Sequence, residues 1–193
     1  MKEMSNKIIH NLIILLVVSC LILFCGSCGR NEERHGFPFE LNTKAVKIYF
    51  LKSKGKENIY FVTVQRKIPN EESLVNSAVK ELFLGPTQHE ELKGIMTEIP
   101  IGTRLIKVEE SEDEVLVDVS SQYVTGGGSA TMQLRYLQLY KTLRNIAPDK
   151  KIYLLVDGKN IKTIGGEGLE VNQPLTKIND YTKKYENTDN VQP

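Results

Sequence analysis

The chain has 193 residues, with 25 Lys and Arg against 24 Asp and Glu, and a formal net charge of +1. This balance provides no basic stripe, which excludes the electrostatic surface that nucleic-acid binding requires. The length suits one domain with flanking tails.

Residues 1–27 predict a lipoprotein signal peptide. Two lysines precede an almost wholly apolar run from Ile8 to Phe24. A charged start, an apolar core and small residues before a cysteine are typical of secretory signals. We favour lipid attachment at Cys28, with Cys20 as the alternative. An uncleaved membrane anchor is a further alternative, although the run is just under the roughly 18–20 residues that span a bilayer.

All three cysteines lie in this leader. In a mature chain that begins at Cys28, lipid occupies the one remaining sulfur. This excludes a structural disulfide, a cysteine nucleophile and a cysteine-based metal site. We therefore predict an extracytoplasmic protein that its N-terminal lipid anchors to a bacterial membrane.

The predicted domain begins with a β-hairpin followed by a helix. Apolar and polar residues alternate in KAVKIYFLK (44–52) and IYFVTVQR (59–66), as they do in strands with one buried face. Asn70 is predicted to cap the helix that follows. Apolar residues recur at every fourth place over 74–83, and Gly85 ends the helix.

The second part of the domain repeats this alternation of strands and helix. A loop at 87–102 leads into the strand-like runs RLIKVEE (104–110) and EVLVDVS (114–120). A long helix is predicted from Ser129 to Ile146, before a proline. The apolar run KIYLLV (151–156) predicts a central strand buried on both faces, and a short strand, NIKTI, follows it.

The element order is β-β-α-β-β-α-β-β, which predicts an α+β fold. Two amphipathic helices need one sheet face to bury their apolar stripes, so we expect a two-layer sandwich. Its sheet would be mixed or antiparallel, with about five to six strands and both helices on one face. The domain covers 44–178, between a tether at 28–43 and a polar, disordered tail at 179–193.

Six short motifs occur in one order along this domain. They are LFLGPT (82–87), IPIGT (99–103), VLVDVSSQY (115–123), GGGSATMQLRYLQLYKTL (126–143), LLVDGK (154–159) and QPL (173–175). The ordered set resembles the GerMN domain family of bacterial sporulation and germination proteins and cell-surface lipoproteins. The resemblance implies an extracytoplasmic binding or assembly module, without a catalytic residue set to carry over.

The glycine-rich stretch is the first candidate contact site. Gly126, Gly127, Gly128 and Ser129 precede a predicted helix, where free amide groups can bind an anion. The stretch lacks the Gly-Lys-Ser/Thr ending of a phosphate-binding P-loop. We interpret it as structural first, because three glycines allow a sharp turn. Tyr123, predicted to be exposed beside it, is the candidate for a partner contact.

Residues for catalysis or metal binding are sparse in the mature chain. His35 lies in the tether and His89 in the predicted loop, and neither belongs to a nucleophile or zinc motif. The acidic residues of 109–114 lack the spacing of an EF-hand and predict a solvated turn. We therefore predict no catalytic residue, no cofactor and no metal.

The sequence predicts a non-enzymatic, membrane-anchored lipoprotein, linked by family resemblance to sporulation or germination. Its expected partner is an envelope protein or peptidoglycan. Two alternatives remain open. One is an enzyme that remodels peptidoglycan or the envelope, and the other is a small-ligand binder that uses Gly126–Ser129.

Overall fold

The computed structural model of the chain describes residues 42–54, 58–165 and 168–178. All of them lie in the second of two units into which the chain divides, Leu41–Pro193. The leader, Cys28, nearly all of the tether and the tail at 179–193 lie outside the described residues. None of the helices in the described part is long and apolar enough to cross a membrane.

Strands β1 (Thr43–Lys54) and β2 (Asn58–Pro69) form the predicted hairpin. They pair antiparallel along their whole length. A two-residue strand, β3 (Ile95–Met96), pairs with the other edge of β1 at Leu51 and Lys52. The alternating residues Val46, Ile48 and Phe50 are buried, which confirms the face that the sequence assigned to the core.

Helix α1 (Leu74–Leu84) begins at Ser73, whose hydroxyl accepts a hydrogen bond from the Asn76 amide at 3.3 Å. The prediction that Asn70 caps this helix is wrong. Asn70 instead donates its backbone N–H to the Asn42 carbonyl at 2.9 Å, because the chain must turn from β2 before the helix can start. Gly85 ends α1 with φ at +82°, as predicted.

The predicted loop at 87–102 contains a short helix, α2 (Gln88–Leu92), as well as β3. Thr87 and Glu90 form a capping box at its start. Arg66 of β2 donates to both carboxylate oxygens of Glu90, at 2.6 and 2.7 Å, and to Glu81 of α1 at 3.0 Å. This arginine therefore joins one strand to two helices.

A second sheet has the order β4-β5-β6-β7. Its strands are β4 (Leu105–Glu110), β5 (Glu114–Val119), β6 (Lys151–Val156) and β7 (Lys159–Asn160). Strand β5 is antiparallel to β4 and parallel to β6. Helix α3 (Ser129–Ile146) connects the parallel pair, because parallel neighbours require a crossover. Two short strands, β8 (Thr163–Ile164) and β9 (Leu169–Glu170), pair with each other.

The predicted α+β class and two-layer arrangement are confirmed, while the described strands form three sheets instead of one. Helices α1 and α3 pack on each other and against β1. Strand β6 is central as expected, but the prediction that both of its faces are buried is wrong. Ile152, Leu154 and Val156 are buried on one face, whereas Tyr153 and Leu155 on the other are half-buried and Lys151 is exposed.

Candidate functional site

Tyr123, the predicted partner contact, lies in the core. It belongs to a 3-10 turn at Ser121–Val124 and is 0% exposed. Its ring stacks on Phe83 of α1, with centroids 6.0 Å apart. Burial raises the pKa of the Tyr123 phenol far above its usual value. The prediction that Tyr123 is exposed is therefore wrong, because the turn after β5 directs the ring inward.

The glycine-rich loop is organised around a buried arginine. Arg135 of α3 is 2% exposed. Its guanidinium donates to the carbonyl oxygens of Glu98, Tyr123, Thr125 and Gly126, at 2.9, 2.5, 3.2 and 3.2 Å. The Tyr123 hydroxyl donates in return to the Arg135 carbonyl at 3.3 Å. The planar fork of donors on arginine suits such a cluster of acceptors, so Arg135 fixes the path of the loop.

Backbone geometry explains why the loop requires glycine. Gly126 and Gly127 have φ values of +67° and +86°, a region that side chains disfavour. A Cβ atom at Gly127 would also lie 2.6 Å from the Thr131 methyl. Gly128 is the N-cap of α3 and Ser129 its first residue. All of Gly126 to Ser129 is exposed, and its role as a contact surface stays a prediction.

An acidic side chain lies beside this loop and the start of α3. Burial raises the pKa of the Glu98 carboxyl, against the opposing effects of Arg135 and a hydrogen bond from Thr131. The N-terminal end of a helix favours negative charge, and here a carboxyl of the same chain is already next to it. This arrangement favours the structural interpretation of the loop over anion binding.

Two further polar residues of α3 cover the edge of β1. The Thr142 hydroxyl accepts a hydrogen bond from the Tyr49 amide at 3.1 Å, and the Gln138 amide donates to the Tyr49 carbonyl at 3.3 Å. Gln138 also accepts from the Glu98 amide at 2.8 Å. Buried backbone groups need such partners. Sequence reasoning missed this stripe, although Arg135, Gln138 and Thr142 fall at helical spacing among the apolar residues of the buried face of α3.

A groove of about 330 Å³ lies along the C-terminal half of α3. Its described lining comes from α3, from β1 and from the segment after β9. The lining residues are Tyr49, Leu137, Tyr140, Lys141, Arg144, Asn145 and Lys177. Three of these seven are cationic and none is acidic. We call this feature the cationic groove.

One hydrogen-bonded pair brings the distant Lys177 to the groove. The Tyr136 hydroxyl donates to the Thr176 carbonyl at 2.5 Å and accepts from the Thr176 amide at 3.0 Å. Burial raises the pKa of Tyr136 to about 12, so the hydroxyl keeps its proton for this contact. The segment is also held at β6, where the Leu175 amide donates to the Ile152 carbonyl at 2.7 Å.

The cations of the groove differ in their contacts. Arg144 donates to the carbonyl oxygens of Pro148 and Lys150 at 2.6 and 3.0 Å, which secures the end of α3. The Lys141 ammonium lies 5.1 Å from the centroid of the Phe61 ring. The sequence alone shows that Lys141 and Arg144 lie about one turn apart on α3. It does not reveal Lys177, because only the fold places that residue beside α3.

Four large apolar side chains outside the groove lining are exposed. They are Leu84, Leu92, Ile101 and Ile106. Leu84 and Leu92 are the last residues of α1 and α2, with 77% and 82% exposure. Ile101 is fully exposed in a turn before β4, and Ile106 lies in β4. Helix α1 packs against β4, so Leu84 and Ile106 belong to neighbouring elements. We call the four side chains the apolar set.

The other candidates from the sequence have ordinary surroundings. His89 is exposed on α2. In the acidic turn, Glu110 accepts hydrogen bonds from Lys150 and Ser73, both at 2.8 Å, and the Lys150 ammonium lowers the pKa of its carboxyl. Within the described ranges, no group of three or more His, Cys, Asp or Glu side chains is arranged to hold a metal ion.

A family model named Germane, described as sporulation and spore germination, matches residues 47–162. The chain belongs to the Germane family. This confirms the GerMN resemblance of the motifs. The matched residues run from within β1 to just past the end of β7 and contain the whole glycine-rich loop. No curated protein matches the chain.

Two solved structures share the fold of this Germane domain. The tandem GerMN domains of the sporulation protein GerM from Bacillus subtilis are 22% identical, with a TM-score of 0.53, over 70% of this chain and 46% of that one. The first GerMN domain of GerM is 19% identical, with a TM-score of 0.54, over 70% of this chain and 98% of that one. This chain thus spans about half of the tandem structure and corresponds to one GerMN domain.

Proposed function

We propose that this protein is a lipid-anchored component of the bacterial envelope whose Germane domain binds another envelope protein and catalyses no reaction. The observation that carries the proposal is the apolar set. Water-exposed apolar side chains lose free energy when a partner covers them, at about 25 cal/mol per Å². A contiguous patch of exposed apolar side chains marks an interaction surface, and the proposal takes the apolar set to be such a patch.

The buried polar residues support the same conclusion. The side chains of Arg135, Gln138 and Thr142 each form hydrogen bonds with backbone atoms. These polar groups therefore stabilise the fold. The leader supports an envelope location through the charged start, apolar run and Cys28 of a lipoprotein signal. Membership in a family described by sporulation and spore germination supports a role in one of these processes.

Site-specific crosslinking tests the binding surface. A photoreactive residue at Ile101 of the full-length protein should give one discrete adduct in intact cells. The same residue at Lys80, exposed on α1, is the control and should not give it. The Ile101 adduct should disappear when Leu84 and Leu92 are changed to serine. Equal adducts at both positions would contradict the proposal.

Two assays test the other parts of the proposal. A labelled fatty acid should be incorporated by the wild type and lost in Cys28→Ala, whereas loss only in Cys20→Ala would move the lipid to that residue. The full-length protein should leave purified peptidoglycan intact. Turnover that His89→Ala abolishes would replace the binding function with the enzymatic alternative.

A further inference from the structure

The turn between β6 and β7 contains an aspartyl-glycine pair, a dipeptide that is prone to cyclise. Asp157 and Gly158 form the only place in the sequence where glycine follows an aspartate or an asparagine. Both residues are exposed. Because glycine has no side chain, nothing on Gly158 shields its backbone nitrogen from the carboxyl group of the residue before it. The pair is therefore a candidate for spontaneous modification.

The reaction joins the Gly158 nitrogen to the Asp157 side chain. The nitrogen attacks the carboxyl carbon, and the new N–C bond closes a succinimide ring. The carboxyl hydroxyl leaves with the amide proton as water. A second water molecule then opens the ring at either of its carbonyl groups. One product is the original aspartate, and the other is isoaspartate, in which the main chain runs through the side-chain carbons. The sequence of steps consumes no oxidant or reductant.

Strand β5 holds both backbone amides of this turn. The Asp157 N–H donates to the Val119 carbonyl at 2.8 Å, and the Gly158 N–H donates to Oδ1 of Asp118 at 3.0 Å. The φ values of the two turn residues, +47° and +74°, fit the type I′ turn of a two-residue hairpin, and β6 pairs with β7 on either side of it. The Gly158 N–H is thus directed at β5 while the hairpin is closed.

The acceptor of this bond is a buried carboxylate. Asp118 is 7% exposed, and a carboxylate that loses its hydration needs hydrogen bonds in compensation. Asp118 belongs to the motif VLVDVSSQY, and the turn belongs to the motif LLVDGK. The bond from Gly158 therefore joins two of the six motifs, neither of which contributes to the apolar set.

We propose that Asp157 is a site of isoaspartate formation and that Asp118 controls its rate. While Gly158 donates to Asp118, its nitrogen is held away from the Asp157 carboxyl, so the ring closes only after the turn has opened locally. Isoaspartate lengthens the main chain by one atom. Turn geometry fixes the register of a hairpin, so this modification disrupts the pairing of β7 with β6. The inference is independent of the partner of the apolar set and of the lipid.

Incubation of the full-length protein in water enriched in heavy oxygen, at physiological temperature and pH, tests the inference. Each ring opening leaves one heavy oxygen atom at Asp157, which mass spectrometry of peptides measures. Folded wild type should take up heavy oxygen there at least about tenfold more slowly than wild type unfolded in guanidinium chloride. In the folded protein, Asp118→Ala should raise the rate at least about fivefold, because a hydrogen bond to a charged group is lost.

Three variants separate the bond from general effects. Asp118→Asn keeps an acceptor oxygen and should stay within about threefold of the wild-type rate. Asp113→Ala removes a carboxylate from an exposed position before the same strand and should change the rate by less than about twofold. Asp118→Val suits a strand and replaces Asp118→Ala if that variant does not fold. Equal rates in folded and unfolded wild type, or a rate that removal of the Asp118 carboxylate leaves unchanged or lowers, would overturn the inference.

Discussion

The two halves of helix α3 use their polar side chains in different ways. In the N-terminal half, Arg135 is buried and donates to four backbone carbonyl oxygens. In the C-terminal half, Lys141 and Arg144 line an open groove. The motif GGGSATMQLRYLQLYKTL (126–143) covers the first half of the helix and continues as far as Leu143 in the second half. The comparison teaches that one motif supplies both a buried residue that shapes the loop and residues that line a groove, while Arg144 and Lys177 of the same groove lie outside the motif.

Removal of the buried guanidinium should have the largest effect. Arg135→Met leaves four carbonyl oxygens without their donor, which should lower the free energy of unfolding by about 3–4 kcal/mol. Arg104→Met, at an exposed position, should change it by less than about 0.5 kcal/mol. Urea unfolding of both full-length variants provides the measurement. Similar small effects at the two sites would show that Arg135 does not organise the loop.

A side chain at Gly127 should have the next largest effect. Gly127→Val combines a disfavoured φ with a clash against Thr131 and should cost about 1–3 kcal/mol. Gly128→Ala is the matched control, because a Cβ atom there meets nothing within 4 Å. It should cost less than about 1 kcal/mol. If Gly127→Val kept full stability but lost the Ile101 crosslink, the loop would be a recognition surface.

The Arg66–Glu90 pair sharpens the comparison because its acceptor titrates, unlike the carbonyl oxygens around Arg135. Hydrogen bonds from Arg66 lower the pKa of Glu90 to about 2. The pair therefore stabilises the folded state fully when the pH is above the pKa of glutamate in the unfolded chain, about 4.3. This stabilisation is lost as the pH falls towards 2.

Glu90→Gln should therefore lower the free energy of unfolding by about 1–2 kcal/mol at pH 7, and by much less near pH 2. Glu91→Gln, on the exposed side of the same helix, should have no such pH dependence. Thermal unfolding between pH 7 and pH 2 would measure both. If the free energies of unfolding of Glu90→Gln and the wild type differed by the same amount at every pH, the pair would not be the source of the stabilisation.

Small effects on stability are expected at Lys141 in the cationic groove, and the smallest at the exposed His89. Lys141→Gln removes a cation–π contact with Phe61, worth about 0.5–1 kcal/mol. His89→Ser on α2 should cost no more than about 0.5 kcal/mol. Denaturant unfolding would show whether Lys141→Gln lowers the free energy of unfolding much less than Arg135→Met does. A loss of comparable size would remove the distinction between the two halves of α3.

Local patterns were sufficient to predict most of the fold. The alternation of apolar and polar residues identified the hairpin, and apolar residues at every fourth position identified α1. Ser129 and the proline after Ile146 gave the bounds of α3. Each of these signals is periodic and close in sequence. The capping box of Thr87 and Glu90 was equally readable and would have revealed α2.

The remaining features depend on contacts between distant residues. Tyr123 is buried because a 3-10 turn directs it towards α1, and no periodicity encodes that direction. The backbone of Tyr49 in β1 bonds to side chains of α3 instead of to another strand. Lys177 joins the groove only through the anchoring of Thr176 by Tyr136. Tertiary packing determines such features, so a single sequence could not reveal them.

The side chains that cover Tyr49 also impose an order on folding. Its backbone partners lie 93 and 89 residues further along the chain, so during synthesis the hairpin emerges long before α3 can reach it. Until then β1 presents an open hydrogen-bonding edge to other copies of the same hairpin. A chain truncated before Ser129 should therefore self-associate through this edge. By bonding to the Tyr49 backbone, the polar stripe of α3 closes an edge of the finished domain that would otherwise be open to pairing with another strand.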